Sequence, residues 1–122
     1  MGLMSAPVPP GWPAEVWPPQ QVGWEDTAVA WLLDQAPSEW RLLPVLRRHP
    51  QVLAWLTVQH LQGEVQAARA AWTDLPTRRI EPQAVNEVRQ MLADVGPELG
   101  RRLQAAVFLQ AALDGLRYVP RL

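Results

Sequence analysis

The side chains best suited to binding a metal ion are the two histidines, His49 and His60. On one continuous helix their separation of eleven residues puts them on one face but about 16 Å apart, too far to share an ion. His60 and Glu64 are four residues apart, the best local pair of ligands in the chain. A single pair of this kind is more typical of a hydrogen bond on a helix surface. We therefore expect no metal site and no cofactor.

Residues for nucleophilic or acid–base catalysis are equally scarce. The serines are Ser5 and Ser38, and the chain has no cysteine. Ser38 follows a proline and precedes a glutamate, a context typical of a helix start and unlike a nucleophile motif. Glu87, Asp94 and Glu98 fall near one helical face, but the arginines after them indicate a solvated, salt-bridged surface. We expect no catalytic residue, and a protein that is not an enzyme.

Arginine is the basic residue at all 11 basic positions. The stretch RLLPVLRRHP is the most basic part of the sequence, and it contains Arg41, Arg47, Arg48 and His49. Phosphate contacts need such clusters. Against this, acids are spread evenly through the remaining chain, and the formal net charge is −1. Nucleic-acid binding through these side chains is therefore the alternative function. The other interpretation is that this stretch forms a structural corner between helices. In that case we expect Arg47 or Arg48 to pair with a carboxylate of this chain.

The segment GWPAEVWPPQQVGW places Trp12, Trp17 and Trp24 among prolines. Residues 1–23 hold six of the 13 prolines, which predicts an extended arm resembling polyproline II. Because exposed tryptophan promotes aggregation, we expect the arm to be docked. It docks either on its own bundle or on a partner.

Residues 24–122 form the predicted helical domain. A first helix begins near Trp24, with acidic residues in its first turn, and ends at Pro37. Further prolines suit the first turns of later helices. They predict short helical pieces near Ser38–Leu42 and Pro44–Arg48, and a long helix from about Pro50.

The first long helix has an apolar stripe with coiled-coil spacing. The stripe consists of Ala54, Val58, Leu61, Val65, Ala68 and Trp72. Its first half is apolar nearly all round, so we expect that half to be deeply buried. The additional apolar residues there are Val52, Leu53, Trp55 and Leu56. Gly63 costs about 1 kcal/mol relative to alanine, and close approach of another helix would compensate for it.

The second long helical pattern begins at Pro82 and keeps its phase through Gly96 and Pro97. It is therefore either one helix kinked there or two helices. The whole pattern predicts an all-α fold: a small helical bundle of one short and two long helices, preceded by the arm.

The end of this pattern has more apolar residues than one contact needs. Phe108 and Leu109 lie off the line of Leu99 and Leu103. The chain could fold back at Pro97, or the arm could cover this second face. A second copy could also pack there about a two-fold axis, and we expect such a homodimer.

Four blocks of the sequence, GWPAEVWPP, WLLD, PVLRRHP and YVPRL, resemble those of a set of small uncharacterised helical proteins of high-GC bacteria. The resemblance covers most of the chain. No activity is established for that set, so the resemblance assigns no catalytic or binding residue.

These observations together predict a helical protein-interaction or assembly module. The N-terminus lacks the charge and apolar run of a secretion signal, and no apolar run is long enough to span a membrane. We therefore expect a cytoplasmic protein, with a second copy or another protein as partner. The candidate interaction residues are Trp12, Trp17, Arg47, Arg48, His49, Phe108 and Leu109.

Overall fold

The computed structural model describes residues 6–121 and shows an all-α fold, without a strand in that range. Four α-helices follow one another there, and two 3₁₀ helices join them at Ser38–Leu42 and Leu75–Thr77. The α-helices are α1, Trp24–Gln35; α2, Pro44–Arg48; α3, Pro50–Asp74; and α4, Pro82–Leu113. The all-α fold is confirmed, with the helix predicted from Trp24 as α1, the short piece predicted near Pro44 as α2, and the two long helices as α3 and α4.

Prolines set where three of these helices begin. Pro44, Pro50 and Pro82 stand in the first turn of α2, α3 and α4. A proline there loses no helical hydrogen bond, and its fixed φ is already helical. The predicted starts at these three residues are therefore confirmed, as is the turn at Ser38–Leu42.

The hydrophobic core lies at one end of the pair formed by α3 and α4. Its largest fully buried side chains are Leu32, Leu33, Leu53, Thr57, Leu61 and Leu109. With 12 residues, α1 is about 18 Å long, whereas α3 with 25 residues is about 37 Å long. Because α1 packs on the first half of α3, we call that end of the molecule the base. The other end, residues 62–98, is the tip, where Val85 is the one buried hydrophobic side chain.

α4 is a single helix of 32 residues that continues through Pro97. The one-helix alternative is thus confirmed, and folding back at Pro97 is wrong. Pro97 cannot donate to the Ala93 carbonyl, but both residues are exposed, so water can reach that oxygen. The close approach expected at Gly63 is also wrong, because in the described part of the chain no neighbouring atom lies within 4 Å of an added Cβ.

The described part of the arm, residues 6–23, docks on the base of its own chain. Val16 is 3% exposed and belongs to the core. The Trp17 N–H donates to Thr27 Oγ1 at 3.1 Å, which ties the arm to α1. Four backbone N–H groups donate to a carbonyl three residues earlier, at 3.0–3.3 Å: Trp12, Val16, Gln21 and Trp24. The arm is therefore non-helical and docked as predicted, but it is a series of turns and not a continuous extension.

Candidate interaction surface

The arm's two predicted contact residues occupy different environments. Trp12 packs against the core, its indole N–H donates to the Val16 carbonyl at 2.9 Å, and its ring centroid lies 6.3 Å from that of Trp24. Trp17 is 46% exposed. Trp12 thus stabilises the fold, while half of Trp17 faces outward.

Phe108 and Leu109 are both covered within the chain. Leu109 is 0% exposed and lies in the core, which removes the reason for expecting a dimer contact there. Phe108 is half-buried, and its ring lies 3.3 Å from the place of a Cβ on Gly11. Gly11 has a φ of +98°, and its missing side chain lets the arm approach α4. The arm therefore covers the face that the sequence pattern left open.

A cleft of about 660 Å³ separates the arm from the C-terminal end of α4. Trp12, Trp24 and Phe108 line it, and its volume is typical of small-molecule sites. Glu25 and Arg117 also line it. Because the wall carries both an acidic and a basic side chain, it favours no single class of ligand.

The predicted pair His60 and Glu64 is in contact on the surface of α3. His60 Nε2 lies 3.1 Å from Glu64 Oε1, and the imidazole is 5.9 Å from the Trp40 ring. Within residues 6–121 no three His, Cys, Asp or Glu side chains are grouped so that they could hold a metal ion. The two side chains therefore meet on one face of the helix, as their spacing predicts.

Large apolar side chains are exposed from the first 3₁₀ helix to the start of α3. Five of them are 45–79% exposed: Leu42, Leu43, Val45, Val52 and Trp55. The His49 N–H donates to the Val45 carbonyl at 3.2 Å, and the Val52 N–H donates to the His49 carbonyl at 3.0 Å. Trp55, three residues after Val52, continues the line along α3. Apolar side chains are therefore exposed at intervals along residues 42–55.

The charged side chains between Leu42 and Trp55 are basic. Arg47 and Arg48 form the last turn of α2, and both are exposed. No ion pair among residues 6–121 involves either of them, so the predicted pairing with a carboxylate is wrong for this range. His49 follows them and is also exposed.

The distribution of acids accounts for these unpaired arginines. The sequence has no Asp or Glu between Glu39 and Glu64, so acids are less evenly spread than expected. Arg41 reaches back to Asp34 on α1, with 2.6 Å between Nη2 and Oδ1. We define the basic-apolar surface as Leu42, Leu43, Val45, Arg47, Arg48, His49, Val52 and Trp55.

A face of opposite charge lies on α4, at the tip. Met91 is 47% and Val95 41% exposed, and their spacing of four residues puts them on one face. Glu87 and Asp94 flank them, and each accepts a hydrogen bond at 3.3 Å from a glutamine four residues earlier. We define these four residues as the acidic-apolar face.

Of the three carboxylates predicted to lie on a salt-bridged face of α4, Glu98 forms ion pairs among the described residues, whereas Glu87 and Asp94 do not. Glu98 contacts Arg101 at 2.7 Å and Arg102 at 3.5 Å. The hydrogen bond from Arg101 lowers the pKa of the Glu98 carboxyl below its ordinary value. Glu87 and Asp94 have no arginine partner within the described range. They are the carboxylates of this helix that remain available to another molecule.

Comparison with known proteins adds no family to this description. No family model, curated protein or solved structure matches the chain. The resemblance to small proteins of high-GC bacteria therefore stays a prediction. In residues 6–121 none of the helices combines the length and the apolar character needed to cross a membrane.

Sequence reasoning found the basic half of the basic-apolar surface and missed the apolar half. Val52 is 49% and Trp55 51% exposed, so the deep burial expected for both is wrong. The signal lies in their spacing: they are three residues apart, so they share a face of α3 that lies beside its Ala54–Leu61 stripe and not on it. The arrangement can form a contact with an apolar centre and cationic groups beside it.

Proposed function

We propose that this protein is a non-enzymatic interaction module whose basic-apolar surface binds an acidic, apolar segment of a protein partner. One observation carries the proposal. Five large apolar side chains are exposed on a segment that contains no carboxylate and has two unpaired arginines.

The composition of the surface matches that of sites where binding energy concentrates. Tryptophan and arginine are enriched among the residues that dominate protein interfaces. Trp55 supplies a large indole whose further burial is favourable by roughly 25 cal/mol per Å². Arg47 and Arg48 can bind carboxylates in a bidentate way. An acidic, apolar segment supplies the counterpart of both features.

Nucleic acid is a poorer match for the same residues. Phosphate binding depends on cations, and Leu42, at 79% exposure, adds nothing to it. Two arginines would give a salt dependence with a slope of about 2, far below that of strong DNA-binding proteins. The apolar side chains therefore favour a protein partner.

Selection from a library of random displayed peptides tests this function without a known partner. We expect the peptides enriched on the wild-type protein to be rich in Asp or Glu together with Leu, Phe or Trp. Trp55→Ala should weaken binding of the selected peptides about 30-fold, the effect of losing a residue that dominates an interface. The double variant Arg47→Glu, Arg48→Glu should abolish it.

Trp72→Ala is the matched control, because Trp72 is exposed to a similar degree, 43%, but lies at the tip. The control should bind the peptides as the wild type does. The proposal would be refuted if the enriched peptides bound both the Trp55 variant and the arginine variant as tightly as the wild type. Binding of a single-stranded oligonucleotide that only the double variant loses, with no peptides enriched, would favour the nucleic-acid alternative instead.

A further inference from the structure

We infer that the partner is a second copy of this chain, with the basic-apolar surface of one copy against the acidic-apolar face of another. The inference rests on the proposed function and names its partner. It relocates the expected self-association from Leu109, which is buried, to two surfaces that are exposed.

Charge complementarity identifies the occupant. The basic-apolar surface has Arg47 and Arg48 without a carboxylate partner, and the acidic-apolar face has Glu87 and Asp94 without an arginine partner, all within the described range. Each surface also has half-exposed apolar side chains, with Met91 on one and Trp55 on the other. Each surface thus has the charge that the other lacks.

The same charges disfavour a symmetric contact of either surface with itself. Such a contact would bring four arginines together or four carboxylates together, and like charges across an interface are costly. The contact is therefore between different surfaces. Because one surface lies at the base and the other at the tip, it places the base of one copy beside the tip of the next.

The size of the contact sets its expected strength. Eight residues on one side and four on the other fall short of the roughly 20 to 30 residues a side in stable complexes. We therefore expect association that is weak, concentration-dependent and reduced by salt.

Sedimentation velocity on charge-reversed pairs tests the contact directly. The basic-surface variant, Arg47→Glu with Arg48→Glu, makes both surfaces acidic, and the acidic-face variant, Glu87→Arg with Asp94→Arg, makes both basic. We expect each variant alone to be monomeric at concentrations where the wild type associates. An equimolar mixture should associate again, because opposite charges then meet in every contact between unlike variants.

Arg78→Glu with Arg79→Glu is the control, since it makes the same charge change in the exposed connection between α3 and α4. It should associate as the wild type does, and circular dichroism should show all variants folded. A wild type that stays monomeric at the highest soluble concentration overturns the inference. So does a mixture that does not restore association. Peptides selected on the basic-apolar surface would still support the proposed function in either case.

Discussion

Replacing Trp12 with alanine tests whether the arm is part of the fold. The indole of Trp12 donates to the Val16 carbonyl and packs beside Trp24, so the alanine variant loses both the hydrogen bond and the ring packing. Trp17→Ala is the comparison, because Trp17 lies in the same arm but is 46% exposed. The structure therefore predicts unequal effects for the two variants.

The expected magnitudes follow from burial. Truncating a buried aromatic side chain costs about 3–5 kcal/mol, and the half-buried Trp12 belongs at the lower limit, about 3 kcal/mol. Trp17→Ala should cost about 1 kcal/mol. Unfolding entropy is about 2.1 cal/mol/K per residue, which for 122 residues gives about 0.26 kcal/mol/K. The melting temperature should fall by about 12 °C for Trp12→Ala and about 4 °C for Trp17→Ala.

Thermal unfolding followed by far-ultraviolet circular dichroism measures both shifts, and the helical signal does not depend on which tryptophan remains. Equal shifts for the two variants, or a shift below about 4 °C for Trp12→Ala, would show that the arm does not stabilise the base. The arm would then serve a partner, and the packing of Trp12 on Trp24 would contribute little to folding.

Three further perturbations test other parts of the fold. Leu109→Glu should unfold the protein, as seen by loss of helical circular dichroism, because a buried charge adds to a lost core leucine and the sum exceeds about 5 kcal/mol. Pro97→Ala should raise stability to urea by about 2 kcal/mol, since it restores the N–H donor to the Ala93 carbonyl. Because the Arg101 hydrogen bond lowers the pKa of Glu98, its stabilising effect is present above the ordinary glutamate pKa and is lost as pH falls through the lowered one. The stability difference between wild type and Glu98→Gln should therefore shrink on acidification, and a constant difference would contradict the pairing.

The helix boundaries were predictable because proline acts locally. Pro44, Pro50 and Pro82 each fix their own φ and restrict the residue before them, so a helix start follows from the neighbouring residues alone. The turns of the arm were not predictable in this way. Proline-rich segments are often extended in isolation, whereas here Val16 is buried in the core and the chain must bend to put it there.

The difference between local and long-range effects also explains which parts of the two surfaces could be predicted from the sequence. A stripe such as Ala54 to Leu61 predicts which side of α3 packs in the core. It does not predict whether another element covers the remaining sides. At the end of α4 the arm covers Phe108, while near the start of α3 no element covers Trp55, which stays 51% exposed. The 12-residue length of α1 explains the exposed face at the tip, because a short helix and a short arm reach only the base. Met91 is exposed because covering chain is lacking at the tip, whereas Trp55 lies at the base and is exposed because it projects from a side of α3 that stays open to solvent.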